Sequence, residues 1–269
     1  MIGYSDLASA FRKLNIPPVA PLMVHASLSA FGPVEGGAQT VVEALLEVFP
    51  TVLMPAFTYK TMVVPDIGPP DNGLAYGTYA DANRQAQFFQ PKMPVDRLIG
   101  MVPEIFRLHP GAHRSIHPIL SFSGVNADRF LESQTIVEPL APFRLLVNEK
   151  AWVLLLGVDH TVNTALHYSE KLAGRRQFVR WALTPSGVVE CPGFPGCSDG
   201  FDAIVPRLSH VVRKEWAGKA LIQAISMVDL IQIALTWLRE DSLALLCDHS
   251  YCERCRSLRQ DVANLVQRS

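Results

Sequence analysis

Short continuous apolar runs alternate along this chain with longer stripes of helical period. From Trp152 to Val158 the residues are apolar, rich in Val and Leu, and of strand length. Gly157 and the polar Asp-His-Thr that follow favour a strand over a piece of buried helix. The next segment predicts a helix with Thr161 as its N-cap and Gly174 as the glycine that ends it. Lys171, Arg175 and Arg176 gather near that end, where cations suit the helix dipole. On this helix Asn163, His167 and Glu170 stand at i−4, i and i+3 and share one face.

Upstream, residues 1–18 read as a short amphipathic helix stopped by Pro17 and Pro18. Residues 21–28 read as a strand, and 38–49 as a helix with Val41, Val42, Leu45, Leu46 and Phe49 on its apolar stripe. Residues 51–58 read as a second strand, with Pro55 marking a strand end or edge. Strand, helix and strand in close succession point to an α/β fold. From Tyr59 to Pro94 the pattern dissolves into a loop rich in Pro and Gly, the composition of a lid or binding loop. Residues 96–108 resemble an amphipathic helix carrying Leu98, Met101, Ile105 and Leu108. A strand is expected over 119–123 and a short helix over 127–131. Residues 179–184 and 188–191 flank Pro185-Ser186-Gly187 as a hairpin. Residues 218–239 carry a long helical pattern through Leu221, Ile225, Val228, Ile231, Leu235 and Leu238. The expectation is one α/β domain over residues 1–269, a mixed central β-sheet flanked by helices, with a partly helical C-terminal portion.

The 269 residues suffice for a sizeable core, and a formal net charge of −1 gives no electrostatic footprint for nucleic acid. No apolar run approaches the ~20 residues that span a bilayer, and the N-terminus lacks the apolar core of a signal peptide. A cytoplasmic protein without nucleic-acid or membrane partners is expected, its oligomeric state open and a homodimer included. Five cysteines do not make a disulfide framework at this length. Cys247, Cys252 and Cys255 crowd into CDHSYCERC with His249 between them, and Cys191 and Cys197 lie together in CPGFPGC. A structural zinc there would need a ligand borrowed from a distant loop; reduced thiols are the plainer account. His109, His113 and His117 are spaced by four, but Pro110 and Gly111 break any helix that would align them, so no metal is assigned to the chemistry.

The P-loop, dinucleotide, nucleophile-elbow and zinc-protease signatures are absent. What remains is a carboxylate one turn from an imidazole, a common way to build a general base, although such pairs also occur as solvated ion pairs on helices.

Three separated segments, VHASLSAFGPVEGGAQTVVEAL with LMPAFTY, GMVPEIFRLHPGAHRSIHP, and LLLGVDHTVNTALHYSE, resemble in the same order the blocks of the aminoglycoside 3-N-acetyltransferase (antibiotic N-acetyltransferase) family. They span about Val24 to Glu170, over half the chain. The resemblance implies that family's fold rather than the GCN5-type acetyltransferase fold, and transfer of an acetyl group from acetyl-CoA to an amine, the 3-amino group of an aminoglycoside antibiotic. It makes His167 the general base, Glu170 its orienting acid (with Asp202 as another candidate), and Thr164 a donor to the oxyanion. It places His25, Ser27, Ser29, Gly36 and Gly37 in a strand-to-helix turn that a pantetheine arm or phosphate can approach. Arg114, Ser115 and His117 follow as further cofactor contacts. No residue stands out as an acylated nucleophile, so direct transfer is expected. The chain departs from the family pattern at FPTV, where a glycine-threonine turn is usual, and in its C-terminal cysteines. Another amine acceptor (an amino sugar, a metabolite, an amine-bearing phosphonate), a zinc-stabilised binding protein without catalysis, and a hydrolase using metal at His109, His113 and His117 are the alternatives.

Overall fold

A computed structural model describes residues 1–267 of the chain. The strands are β1 (Leu22–Ala26), β2 (Val52–Pro55), β3 (Met62–Val63), β4 (Ala112–Arg114), β5 (Phe122–Val125), β6 (Trp152–Leu156), β7 (Phe178–Thr184), β8 (Gly187–Phe194), β9 (Arg213–Ala217) and β10 (Ala220–Ser226). The helices are α1 (Tyr4–Lys13), α2 (Gly37–Val48), α3 (Ala80–Arg84), α4 (Met101–Arg107), α5 (Asp128–Glu132), α6 (Ala141–Asn148), α7 (Thr164–Leu172), α8 (Val205–Leu208), α9 (Met227–Glu240) and α10 (Glu253–Val266).

Seven strands form the main sheet in the order β4-β5-β2-β1-β6-β10-β9. Its centre, β2-β1-β6, is parallel, and the remaining pairs are antiparallel. Every residue of these three strands is buried, which is why they read as continuous apolar runs. Successive side chains leave on opposite faces. Met23, Val153 and Leu155 join one core with Phe143 of α6, Leu166 of α7 and Leu230 of α9. Leu22, Val24, Leu154 and Leu156 join the other with Phe11 of α1, Val42 of α2 and Phe106 of α4. A second sheet, β3-β7-β8, packs its buried Phe178 and Phe194 into the first of these cores.

Three expectations need correction. Residues 220–226 are strand β10, not the start of a long helix: Ala220, Ile222 and Ala224 are buried in a period of two, and Ser226 caps α9. The helix expected from Asp96 begins only at Met101, because Gly100 takes φ +99° before it. Leu98 (83 % exposed) and Met101 (55 % exposed) belong to no core stripe, and Val102 and Phe106 are the buried pair. The strand expected over 119–123 is shifted to Phe122–Val125. The Pro- and Gly-rich stretch after Tyr59 holds only β3, α3 and a turn of 3-10 helix. No helix among the described residues is long and apolar enough to cross a membrane.

Candidate active site

The carboxyl ends of β1, β2 and β6 open onto one cleft of about 1260 Å³, where ligands commonly bind in sheets with parallel strands. The loop after β1 supplies His25, Ser27 and Ser29, the start of α2 supplies Gly37, and the segment after β6 supplies Thr164 and His167. Chain reversal after β6 depends on Gly157, whose φ is +66°. Asp159 Oδ1 then accepts the Thr161 N–H at 2.9 Å, closing a turn of 3-10 helix. Asn163 Oδ1 accepts the Ala165 N–H at 3.2 Å and starts α7. Asn163 is therefore the N-cap, in place of Thr161, and does not share the helix face with His167. Gly174, at φ +80°, sits just past the end of α7 as expected.

His167 and Glu170 meet one turn apart, with Nδ1 2.7 Å from Oε2. The other oxygen of Glu170 accepts Arg175 Nη1 at 2.5 Å. Arg175 is itself fixed, donating from Nη2 to the carbonyls of Ser242 and Ala244 at 2.7 and 2.8 Å. Glu170 is 1 % exposed, and both its oxygens are engaged, Oε1 by Arg175 and Oε2 by the His167 ring. The ring nitrogen of His167 that faces this carboxylate is Nδ1, and the ring lines the cleft. Phe201 packs at 4.6 Å between ring centroids and holds the imidazole plane. The carboxylate hydrogen-bonded to the ring is that of Glu170, while Asp202 Oδ1 accepts the N–H of His160 at 3.3 Å.

Ser27 Oγ and Ser29 Oγ lie 3.1 Å apart in the cleft wall. Both glycines at the start of α2 have positive φ, +70° at Gly36 and +63° at Gly37. A Cβ on Gly36 would strike Thr40 Oγ1 at 2.3 Å, whereas one on Gly37 would meet nothing within 4 Å. Gly36 thus shapes the turn, and Gly37 leaves room beside the helix N-terminus. His25 is buried at the base of the cleft, and burial, aided by His160, pushes its pKa down to about 3.

The structure gives Arg114, Ser115 and His117 other work, and none of them lines the cleft. Arg114 donates from Nε to Ser121 Oγ (3.0 Å), from Nη2 to the Ala56 carbonyl (2.6 Å), and from Nη1 to the carbonyls of Pro91 and Met93. Burial, with Arg107 nearby, pushes its pKa down to about 10. Ser115 accepts the Phe122 N–H at 2.9 Å and donates to Gln134 Oε1 at 2.5 Å. His117 Nδ1 accepts the N–H groups of Ile119 and Leu120 at 3.1 and 3.0 Å, shaping the approach to β5. These side chains hold the loop between β4 and β5, and their donors are turned inward. The three spaced histidines come to no common site, since His109 and His113 lie on an exposed turn and strand while His117 is buried.

Three arginines of the cleft, Arg97, Arg180 and Arg254, escaped the sequence reading. Arg180 of β7 is 3 % exposed, lies over the rings of Phe178 (5.4 Å) and Phe194 (5.0 Å), and donates from Nη1 to the carbonyls of Val179 (2.7 Å) and Asn72 (3.1 Å). Burial and the neighbouring Arg254 push its pKa down to about 10. Arg254 reaches the cleft from α10 and donates to the Gly196 carbonyl at 2.8 Å. The signal for Arg180 was present: it alternates in phase with Phe178 and Ala182, the inward side of β7. Arg97 also lines the cleft, and no Asp or Glu does so among the described residues.

The sequence model of the aminoglycoside 3-N-acetyltransferases matches residues 23–239. The chain belongs to the aminoglycoside 3-N-acetyltransferase family. Its similarity to aminoglycoside N(3)-acetyltransferase III of a Salmonella species is 29 % identity over 262 residues, covering 87 % of this chain and 90 % of that one. The crystal structure of aminoglycoside acetyltransferase AAC(3)-IVa superimposes with a TM-score of 0.78 at 25 % identity, over 96 % of this chain and 97 % of the other. A binary complex of AAC-IIIb with CoASH superimposes at 0.72 and 25 % identity, over 89 % and 97 %. The fold is that of the aminoglycoside 3-N-acetyltransferases rather than the GCN5-type fold, and the family consists of acyltransferases.

Proposed function

We propose that the protein is an acetyl-CoA-dependent N-acetyltransferase in which His167 is the general base. The observation that carries this reading is the relay of Arg175, Glu170 and His167 at the wall of a cleft large enough for two substrates. An amine attacks a thioester only as the free base, because an ammonium has no lone pair. His167 Nε2 takes the proton from the acceptor nitrogen as that nitrogen bonds to the acetyl carbonyl. The Glu170 carboxylate stabilises the imidazolium, and the imidazolium returns the proton to the departing CoA sulfur. Thr164, in the first turn of α7, donates to the carbonyl oxygen as it gains charge. The pantetheine arm follows Ser27, Ser29 and Gly37 past the start of α2. Transfer is direct, with no acetyl-enzyme.

The relatives make an aminoglycoside the first acceptor to test. A second reading has its own support: three arginines and, among the described residues, no carboxylate line the cleft. A polycation is poorly matched to that wall, whereas an amine carrying a carboxylate or phosphonate group would pair with it. Release of CoA thiol measured against a panel of aminoglycosides and of acidic amines separates the two, and turnover of neither class rejects N-acetyl transfer. His167→Ala should lower kcat by about 10²–10⁴-fold, the usual worth of a general base, with acetyl-CoA affinity unchanged. A weakened affinity with kcat intact, or an acetyl-enzyme trapped without acceptor, contradicts the assignment.

A further inference from the structure

Four of the five cysteines converge at a place remote in sequence from the catalytic helix. Cys197, from the loop after β8, meets Cys247, Cys252 and Cys255, and all four sulfurs lie within 4.8 Å of one another. Cys197 Sγ is 3.9 Å from Cys247 Sγ, which is 3.5 Å from Cys255 Sγ. Four thiolates held tetrahedrally at a zinc–sulfur distance of about 2.3 Å stand roughly 3.8 Å apart, so the spacing fits a single ion. An iron–sulfur cluster, with several metal and sulfide atoms between its thiolates, would hold them farther apart.

We propose that Cys197, Cys247, Cys252 and Cys255 form a tetrathiolate zinc site that fastens α10 to the loop bordering the cleft. The surroundings suit thiolates. The Asp199 N–H points at Cys197 Sγ at 3.5 Å, two residues on. A tetrathiolate zinc centre is negative, and two cations flank it. Arg259 donates to the Cys247 carbonyl at 2.6 Å, and Arg254 to the carbonyl of Gly196, next to Cys197. Three ligands are buried and Cys252 is half-buried, so the site is closed and structural rather than open to a reacting water. Cys191 lies apart, within β8. The three C-terminal ligands fall beyond residue 239, where the family match ends. The site has a positional consequence, because Arg254 adjoins the ligand Cys255 while Gly196 and Ser198 flank the ligand Cys197, and all three line the cleft.

The metal assignment does not depend on the proposed reaction and is tested without it. The full chain, purified without chelator, should carry one zinc ion per molecule by elemental analysis, retained in Cys191→Ser and reduced in Cys252→Ser. If the variants fail to fold, the unaltered protein still decides. Exchange with cobalt should produce the absorption of a tetrahedral thiolate complex, and chelation should lower the Tm and speed amide exchange in α10. Metal-free protein with four titratable thiols and no cobalt uptake, a disulfide detected by mass, or iron in place of zinc would overturn the proposal.

Discussion

His25 and His117 each occupy a place where only the neutral ring is tolerated. Burial holds their pKa values down, to about 3 and about 4, against an ordinary value of 6.5. Below pH 6.5 the unfolded chain therefore takes up protons that the folded chain refuses. Stability is intact above that pH and falls as acid is added, by about 2 kcal/mol for each of these rings at pH 5. Thermal denaturation between pH 7 and pH 5 should show a falling Tm. His117→Asn, whose side-chain oxygen can still accept from Ile119 and Leu120, should make the fall shallower. An equal slope in that variant would assign the effect elsewhere. The same scale shows what a sequence conceals. The i, i+3 pairing of His167 with Glu170 was legible because helical spacing is local. Arg175 as the second partner of Glu170 was not, since its position is fixed by carbonyls of Ser242 and Ala244 far along the chain. Arg114 shows the converse. An arginine in a family block suggests a ligand contact, yet its donors reach loop carbonyls that only the fold brings near.

At the level of elements, the turn from β6 into α7 positions His167. Gly157 occupies the left-handed region, and a Cβ there would meet Ala30 Cβ at 2.4 Å and Ala220 Cβ at 3.1 Å. Gly157→Ala should cost about 3 kcal/mol, from backbone strain and overpacking together. Chemical denaturation measures this, and a loss below about 1 kcal/mol would mean the turn yields easily. Elements whose periodicity and punctuation agree, such as β1, α2, β6 and the β7–β8 hairpin, were readable in advance. Two others misled for one reason: apolar residues mark burial, not the element that buries them. In residues 220–226 a strand alternation also satisfied a helical template, and Leu98 and Met101 are apolar because they line the cleft.

Across the whole molecule, the cleft wall combines distant parts of the chain: the loop after β1, the start of α7, β7 and the C-terminal helix. Arg180 and Arg254 face it from the last two of these. Arg254→Ala should raise KM for an acidic acceptor at least several-fold while leaving KM for acetyl-CoA unchanged, read from thiol release with each substrate varied in turn. A rise in the acetyl-CoA value alone would transfer that arginine to the cofactor's phosphates. Charge totals could not reveal this arrangement, since a near-neutral chain still gathers its cations on one wall.

The grip of Arg175 on the carbonyls of Ser242 and Ala244 ties the His167 imidazole, through Glu170, to backbone lying 67 and 69 residues beyond that arginine. A chimaera exchanging everything past Glu240 with a relative would disturb those two anchor points, releasing Glu170 to swing and the ring to follow. In this protein the tail and the His167–Glu170 pair form one mechanical unit.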